Sequence, residues 1–307
     1  MKHLFVINPY AGKEDATPVI KQKINMLDDK PDYDIYVTQA PGDATRFVVQ
    51  WCQEHPQQSV RFYACGGDGT INEVTSGILQ VQNGNAVSDS HIQMTCYACG
   101  SGNDYIKYYP GDYTDLHKLI NGTPHRVDVM QVNDRYSINV CNFGFDALVC
   151  KTMIEVKRKP IIGGSHAYTT GIVKGLFKGR KSLCRITADG QPFHDGHMLL
   201  CTISNGRYVG GAYQCAPRSL NDDGLVEVLL FKPVALASFL SMISAYKNGK
   251  QFELPHFQKH MKYTRAKTLD LDADTPFDLC IDGEMLVGSH FHIQNLQQVL
   301  TFVAPTK

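Results

Sequence analysis

Four short loops carry residue types suited to phosphate chemistry. They are Asn8-Pro9-Tyr10-Ala11-Gly12-Lys13, the segment ending at Thr38, Gly66-Gly67-Asp68-Gly69-Thr70, and Gly100-Ser101-Gly102-Asn103-Asp104. The glycines lack a Cβ, so the backbone can turn tightly and come close to a ligand. Thr70-Ile71-Asn72-Glu73 fits the S/T-x-x-E capping box, with Thr70 at N-cap and Glu73 at N3, and predicts a helix over 71–79. The positive amino end of such a helix makes an anion site. Asp68 inside an anion cradle needs a cation between it and the phosphate oxygens. The loop therefore predicts a Mg²⁺-nucleotide.

The elements that must position these loops are legible as alternating strands and amphipathic segments. Strand-like runs at 3–8, 33–38, 60–65 and 91–98 each lead into one of the four loops, with helices expected at 19–27 and from Asp43 through Trp51. Repeated strand–loop–helix units predict a parallel sheet, and open α/β sheets bind ligands at the carboxyl ends of their strands. Beyond Asp128 the grain changes. Runs at 136–143, 183–188, 197–204, 225–231, 264–271 and 277–281 read as strands punctuated by Gly, Asn and Asp, which predicts an antiparallel β-rich domain. The division expected is 1–130, 131–295, and a closing strand near 299–303, within 296–307, returning to the first domain.

Composition narrows the class. The chain has 307 residues with 30 Lys+Arg against 30 Asp+Glu, which gives no whole-protein electrostatic grip on nucleic acid. The first residues lack the long apolar run of a secretory signal, and the apolar stretch 233–243 is too short to span a bilayer. It predicts a core helix, and a cytoplasmic location is expected. The ten cysteines read as buried thiols, and the one CxxC, Cys96 and Cys99, as the end of a buried strand. The pairs His194/His197 and His290/His292 read as surface or hairpin histidines. Residues 151–181 carry eight Lys/Arg against one acidic residue, beside apolar positions. That pattern suits either an anionic membrane surface, met peripherally, or a solvated helix face. No G-x-x-x-x-G-K-[ST] occurs, and the protein-kinase set is missing.

Asn8-Pro9 with Gly12, GGDGT at 66–70 and GSGND at 100–104 resemble the diacylglycerol kinase catalytic family, which includes bacterial lipid kinases and the sphingosine and ceramide kinases. The resemblance continues through Asp128-Val129, Asn142-Phe143-Gly144-Phe145-Asp146, Asn221-Asp222-Asp223-Gly224 and Asp282-Gly283-Glu284. GGDGT alone is shared with NAD kinases. The resemblance implies a three-layer α/β nucleotide-binding domain of the NAD-kinase/diacylglycerol-kinase type and a β-rich, sandwich-like second domain. It implies ATP contacts at Asn8, Thr38, Gly66, Gly67, Asp68, Gly69, Thr70, Ile71, Asn72, Glu73, Ser101 and Asn103. Asp68, Asp104 and Asp128 would hold a catalytic Mg²⁺, partly through water. Leu220, Asp223 and Leu225 would hold a structural one. Asp282 or Glu284 would be the base, the two being inseparable at this level, and Asp-Gly by itself is also a strong turn dipeptide. The expected activity is ATP- and Mg²⁺-dependent phosphorylation of a lipid hydroxyl, with diacylglycerol leading. The rivals are a soluble-substrate kinase of the NAD-kinase type and a non-catalytic regulator that binds nucleotide or lipid. An apolar tunnel in the second domain would favour lipid, a polar pocket the soluble substrate. Expected partners are the lipid alcohol, an anionic membrane surface engaged transiently, and a second copy of the chain. Nucleic acid is not expected.

Overall fold

The computed structural model describes residues 1–82, 91–145, 147–151 and 182–306. The chain forms two compact units, Met1–Val129 with Leu296–Lys307, and Met130–Asn295.

In the first unit, β1 (Lys2–Ile7), β2 (Tyr33–Val37), β3 (Val60–Gly66) and β4 (Ile92–Ala98) pair in parallel in the order β4-β3-β1-β2. Phe302, near the end of the long strand β14 (Glu284–Ala304), adds in parallel beside Met94 of β4. All seven residues of β3 are buried, as a strand covered on both faces requires. The intervening helices are α1 (Thr17–Asn25), α2 (Asp43–Glu54) and α3 (Asp68–Gln82). The chain runs outward from β1 to β2, then back across to β3 and on to β4. Right-handed crossovers therefore put α1 on one face and α2 and α3 together on the other. Two contacts agree. A Cβ on Gly77 of α3 would stand 2.7 Å from Val48 Cβ of α2, and Thr45 Oγ1 donates to Glu73 O at 2.8 Å. The direction reverses between β1 and β3, which is where such sheets open a ligand crevice.

The capping box expected at Thr70 is not formed. Helix α3 begins three residues earlier, at Asp68, and the Gly67 carbonyl accepts from Thr70 N and Ile71 N. Glu73 is thereby carried a full turn into the helix. Its carboxylate accepts instead from Gly42 N and Ala44 N, at 2.9 and 3.1 Å, and so caps α2.

The second unit is antiparallel. β7 (Val140–Gly144), β10 (Leu200–Ser204), β11 (Val226–Phe231), β12 (Met261–Ala266) and β13 (Thr268–Ile281) lie in the order β12-β11-β10-β7-β13, and the first part of β14 pairs with β13. β8 (Ser182–Ala188) adds to β13 and β9 (Gln191–Met198) to β8. β6 (Arg135–Ser137) pairs with the end of β5 (Thr123–Val132). Side chains alternate between two cores. Cys141, Phe143, Cys201, Ile203, Val228 and Leu230 face one core; Val140, Leu200, Leu229 and Phe231 face the other. Helices that contribute to the second core include α5 (Leu236–Lys247), following the short α4 (Leu116–Ile120), and α6 (Pro255–Gln258). Residues 236–243 of the apolar stretch 233–243 thus form the start of a core helix.

Three runs read as single strands are each interrupted where a backbone amide finds a partner outside the ladder. Between β6 and β7 the amides of Ile138 and Asn139 donate to the Asp282 carboxylate. Between β9 and β10, Leu199 N donates to Phe231 O. Between β12 and β13, Lys267 N donates to Asp189 Oδ1.

Candidate active site

The carboxyl-end loops of the first unit meet through positions where no Cβ fits. A Cβ on Gly12, which has φ +84°, would stand 2.3 Å from Cys99 O. A Cβ on Gly100 would stand 2.4 Å from Gly67 Cα, and one on Gly66 would strike Thr70 Oγ1. Gly66 O accepts from Cys99 N and Gly100 N at 3.0 and 3.1 Å, and Asn8 Nδ2 donates to Thr70 Oγ1 at 3.3 Å. The Asn8, Gly66–Thr70 and Cys99–Asp104 loops are thus one packed surface over the amino end of α3. Thr38, 7% exposed, is held against β1 by two hydrogen bonds to Ile7 O. Asn103, at φ +50°, donates from Nδ2 to Gly100 O at 2.8 Å. Ser101 is exposed at the loop tip.

Two aspartates converge within this surface. Asp68 Oδ1 accepts from Asp104 N at 2.6 Å and Tyr105 N at 3.1 Å, heading the short 3₁₀ turn Tyr105–Tyr108. Asp104 Oδ1 is ion-paired with Lys107. The second oxygens of both carboxylates approach Gly102, where a Cβ would lie 3.0 Å from Asp68 Oδ2 and 3.5 Å from Asp104 Oδ2. Two hard oxygens bordering a space that only glycine leaves open fit a Mg²⁺ ligand pair. Asp128 on β5 is fully buried, and its Oδ1 accepts from Gln298 N at 2.8 Å. Of the remaining expected ATP contacts, Ile71 is core, Asn72 is buried, and the Glu73 side chain is turned to α2.

In the second unit, Asp282 and Gly283 are the two loop residues of the β13–β14 hairpin, with φ +46° and +94°. Positive φ at both positions is what a two-residue I′ turn demands, so the turn reading holds. The carboxylate has a further task. Asp282 Oδ1 accepts from Ser137 Oγ at 2.9 Å, Asn139 N at 3.1 Å and Val140 N at 2.8 Å, and Oδ2 accepts from Ile138 N at 2.8 Å. Asp282 is therefore an anion that organises the β6–β7 connection. Glu284 is the exposed carboxylate of the motif.

Leu220, Asp223 and Leu225 share one turn, where Asp223 Oδ1 accepts from Leu225 N at 3.1 Å. Asp223 is also ion-paired with Arg265, whose Nε lies 3.1 Å from buried Glu227. The guanidinium already supplies the positive charge a metal would bring, so this turn fits Mg²⁺ poorly. Burial pushes the Glu227 carboxyl above its ordinary range, partly offset by Tyr263 and Arg265.

The second unit also holds an apolar cleft, open to solvent, between the sheet and α5. Leu200, Phe231, Phe239, Met242 and Tyr246 are among its walls.

Comparison with known proteins places these features. Residues 2–132 match the model of the diacylglycerol kinase catalytic domain, and residues 139–303 match the YegS C-terminal NAD kinase beta sandwich-like domain. The chain belongs to the diacylglycerol kinase family. Family membership makes it a phosphotransferase with an alcohol acceptor. Proteins named "Probable lipid kinase YegS-like" from Yersinia pestis and Yersinia pseudotuberculosis are 28% identical over 303 residues, covering 97% of this chain and 95% of theirs. A crystal structure described as a diacylglycerol kinase from Bacillus anthracis str. Sterne has the same fold. Its TM-score is 0.68 at 22% identity, over 99% of this chain and 96% of that one. Yeast NADH kinase shares the fold more distantly, with TM-score 0.52 at 10% identity over 100% of this chain and 84% of that one.

The remaining expectations fall as follows. All ten cysteines are thiols outside any disulfide, eight of them buried. His290 and His292 are exposed and bonded through Nδ1 to Asp272 and Asp270, at 2.8 and 2.7 Å. His194 is buried. Among the described residues no helix is long and apolar enough to cross a membrane. The basic run lies outside the described residues except Lys151, which is paired with Asp278. Sequence reasoning missed the Asp282 network and the Gly102 gap. A left-handed Asp before Gly is the signal that could have raised the first.

Proposed function

We propose that this family member is an ATP- and Mg²⁺-dependent kinase of a lipid hydroxyl, with diacylglycerol the leading acceptor. The observation that carries the lipid reading is the cleft, whose walls are aliphatic and aromatic apart from the hydroxyls of Tyr213 and Tyr246. A polar soluble acceptor of the NAD-kinase type would need polar groups converging there. A non-catalytic regulator has no use for a carboxylate pair bordering Gly102 together with an exposed glutamate on the hairpin.

The ATP phosphates would lie over Gly67–Gly69, at the amino end of α3, where the helix dipole favours negative charge. Asp68 and Asp104 would hold Mg²⁺, with Asp128 reached through water, and the ion would neutralise charge on the phosphate oxygens. Transfer passes through a loose transition state, so the chain mainly positions groups and offsets charge. Glu284 accepts the proton of the lipid hydroxyl as its oxygen attacks the γ-phosphorus, and ADP leaves. Asp282 holds the hairpin that presents Glu284. Transient binding to an anionic membrane surface would deliver the lipid.

The test is transfer of labelled γ-phosphate from ATP into an organic-extractable product, using diacylglycerol in mixed micelles with Mg²⁺. A labelled phospholipid whose formation needs Mg²⁺ supports the reading. Label that passes only to water-soluble acceptors such as NAD refutes it.

A further inference from the structure

Two loops of the first unit must serve opposite ends of a bound nucleotide, and they lead into different helices. The loop 38–42 links β2 to α2, whereas Gly66 and Gly67 lead from β3 into α3. In the order β4-β3-β1-β2 these loops lie two strands apart, about 10 Å. The carboxylate pair bordering Gly102 involves the loop after β4, on the far side of Gly67 from β2. A metal held there draws the γ-phosphate end of the nucleotide toward β4, so the nucleoside end runs toward β2 and the loop 38–42.

The phosphate side is fixed backbone to backbone, with Gly66 O accepting from Cys99 N and Gly100 N. The nucleoside side is held by carboxylates. Asp43 Oδ2 accepts from Gln39 N at 2.8 Å, which folds the loop onto its own helix without tying it to α3. Glu73 makes that tie. Its Oε1 accepts from Gly42 N at 2.9 Å and its Oε2 from Ala44 N at 3.1 Å. Gly42 is the N-cap of α2 and has no side chain with which to serve the first amides of its helix. The cap comes from α3 instead. With one amide on each oxygen, the carboxylate clamps the loop 38–42 to the helix that starts at the phosphates.

The two ends of a nucleotide are covalently joined, so binding one raises the effective concentration of the other only while the loops keep their spacing. We propose, resting on the kinase reading, that Glu73 is a positioning residue for ATP: its carboxylate sets the nucleoside loop against the phosphate loop, so that one molecule engages both. Glu73→Gln puts an NH₂ against a backbone amide that also donates, and one of the two bonds is lost whichever way the side chain turns.

The test separates the two ends of the nucleotide. In steady-state kinetics Glu73→Gln should raise the KM for ATP at least tenfold and leave kcat within threefold, the pattern of lost uniform binding. In calorimetric titrations of the full chain it should weaken ADP at least tenfold, whereas tripolyphosphate, which has no nucleoside end, should bind within twofold of wild type. Thr45→Val removes the hydrogen bond to Glu73 O and keeps the carboxylate; its ADP affinity should stay within twofold. Hydrogen exchange on the wild type covers the case in which Glu73→Gln fails to fold. By reciprocity, ADP should slow exchange of the Gly42 and Ala44 amides at least tenfold, and tripolyphosphate should not. Unchanged ADP affinity in Glu73→Gln, equal losses of ADP and tripolyphosphate, an equal ADP loss in Thr45→Val, or Gly42 and Ala44 amides indifferent to ADP would each overturn the proposal. ADP binding weakened as expected in a chain that phosphorylates no alcohol would support the clamp and refute the kinase reading.

Discussion

The two carboxylates of the Asp282-Gly283-Glu284 turn should separate cleanly by substitution. Asp282 accepts four hydrogen bonds, three from backbone amides and one from Ser137. In Asp282→Asn the side-chain amide must face donors whichever way it is turned. With the NH₂ in the Oδ2 position, it meets Ile138 N–H and loses one bond. In the Oδ1 position, it meets three donors. The favoured orientation therefore loses at least one charge-assisted bond, worth about 1.5–3 kcal/mol, and weakens the rest from charged to neutral acceptors. A total of about 3 kcal/mol follows, which for a unit of this size lowers Tm by about 6–12 °C. Glu284→Gln, at an exposed position, should stay within about 0.5 kcal/mol of wild type. Its kcat should fall by about 10²–10⁴, the usual contribution of a general base. Urea unfolding and steady-state kinetics on both variants are the assay. An Asp282→Asn protein as stable as wild type would refute the positioning role, and a Glu284→Gln protein with unchanged kcat would refute the base.

Gly102→Ala places a Cβ 3.0 Å from Asp68 Oδ2; it should raise the KM for Mg-ATP at least tenfold at nearly unchanged Tm, read by kinetics across a Mg²⁺ series. Gly100→Ala drives a Cβ to 2.4 Å from Gly67 Cα, backbone against backbone, so isothermal titration should show ATP binding lost. Burial, then Arg61, lowers the His3 pKa from 6.5 to about 4. The neutral ring is the folded form, so this contribution is fully present above about pH 6.5 and is lost as pH falls toward 4. It is at most about 3 kcal/mol and less after solvent screening, and His3→Gln should flatten that part of the stability–pH profile in urea titrations. Arg265→Met leaves Asp223 and buried Glu227 without their cation; a loss of about 3 kcal/mol in unfolding free energy is expected.

The parallel half of the fold was legible because each strand of the first unit carries its own period and ends in a loop with a chemical signature. The site there was legible for the same reason: GGDGT and GSGND are local. Glu73 was misread because a capping box is defined by spacing alone. What decides its partner is where α3 starts, and Thr45 and Gly77 packing α3 against α2 is tertiary. The split strands of the second unit failed on similar grounds. Nothing within 136–143 announces that Ile138 and Asn139 will donate to an aspartate more than 140 residues away. The cleft was invisible because its walls come from segments far apart in the chain, among them Phe145, β10, Tyr213, β11, α5 and α6, which read singly as ordinary core.

The most direct test of the central claim is ADP release with Mg-ATP, offering diacylglycerol, monoacylglycerol and NAD side by side to the wild type and to Glu284→Gln. Turnover on a lipid alcohol, absent on NAD and reduced at least a hundredfold in the variant, is the predicted result. Turnover on NAD alone, or lipid turnover indifferent to Glu284, would contradict it.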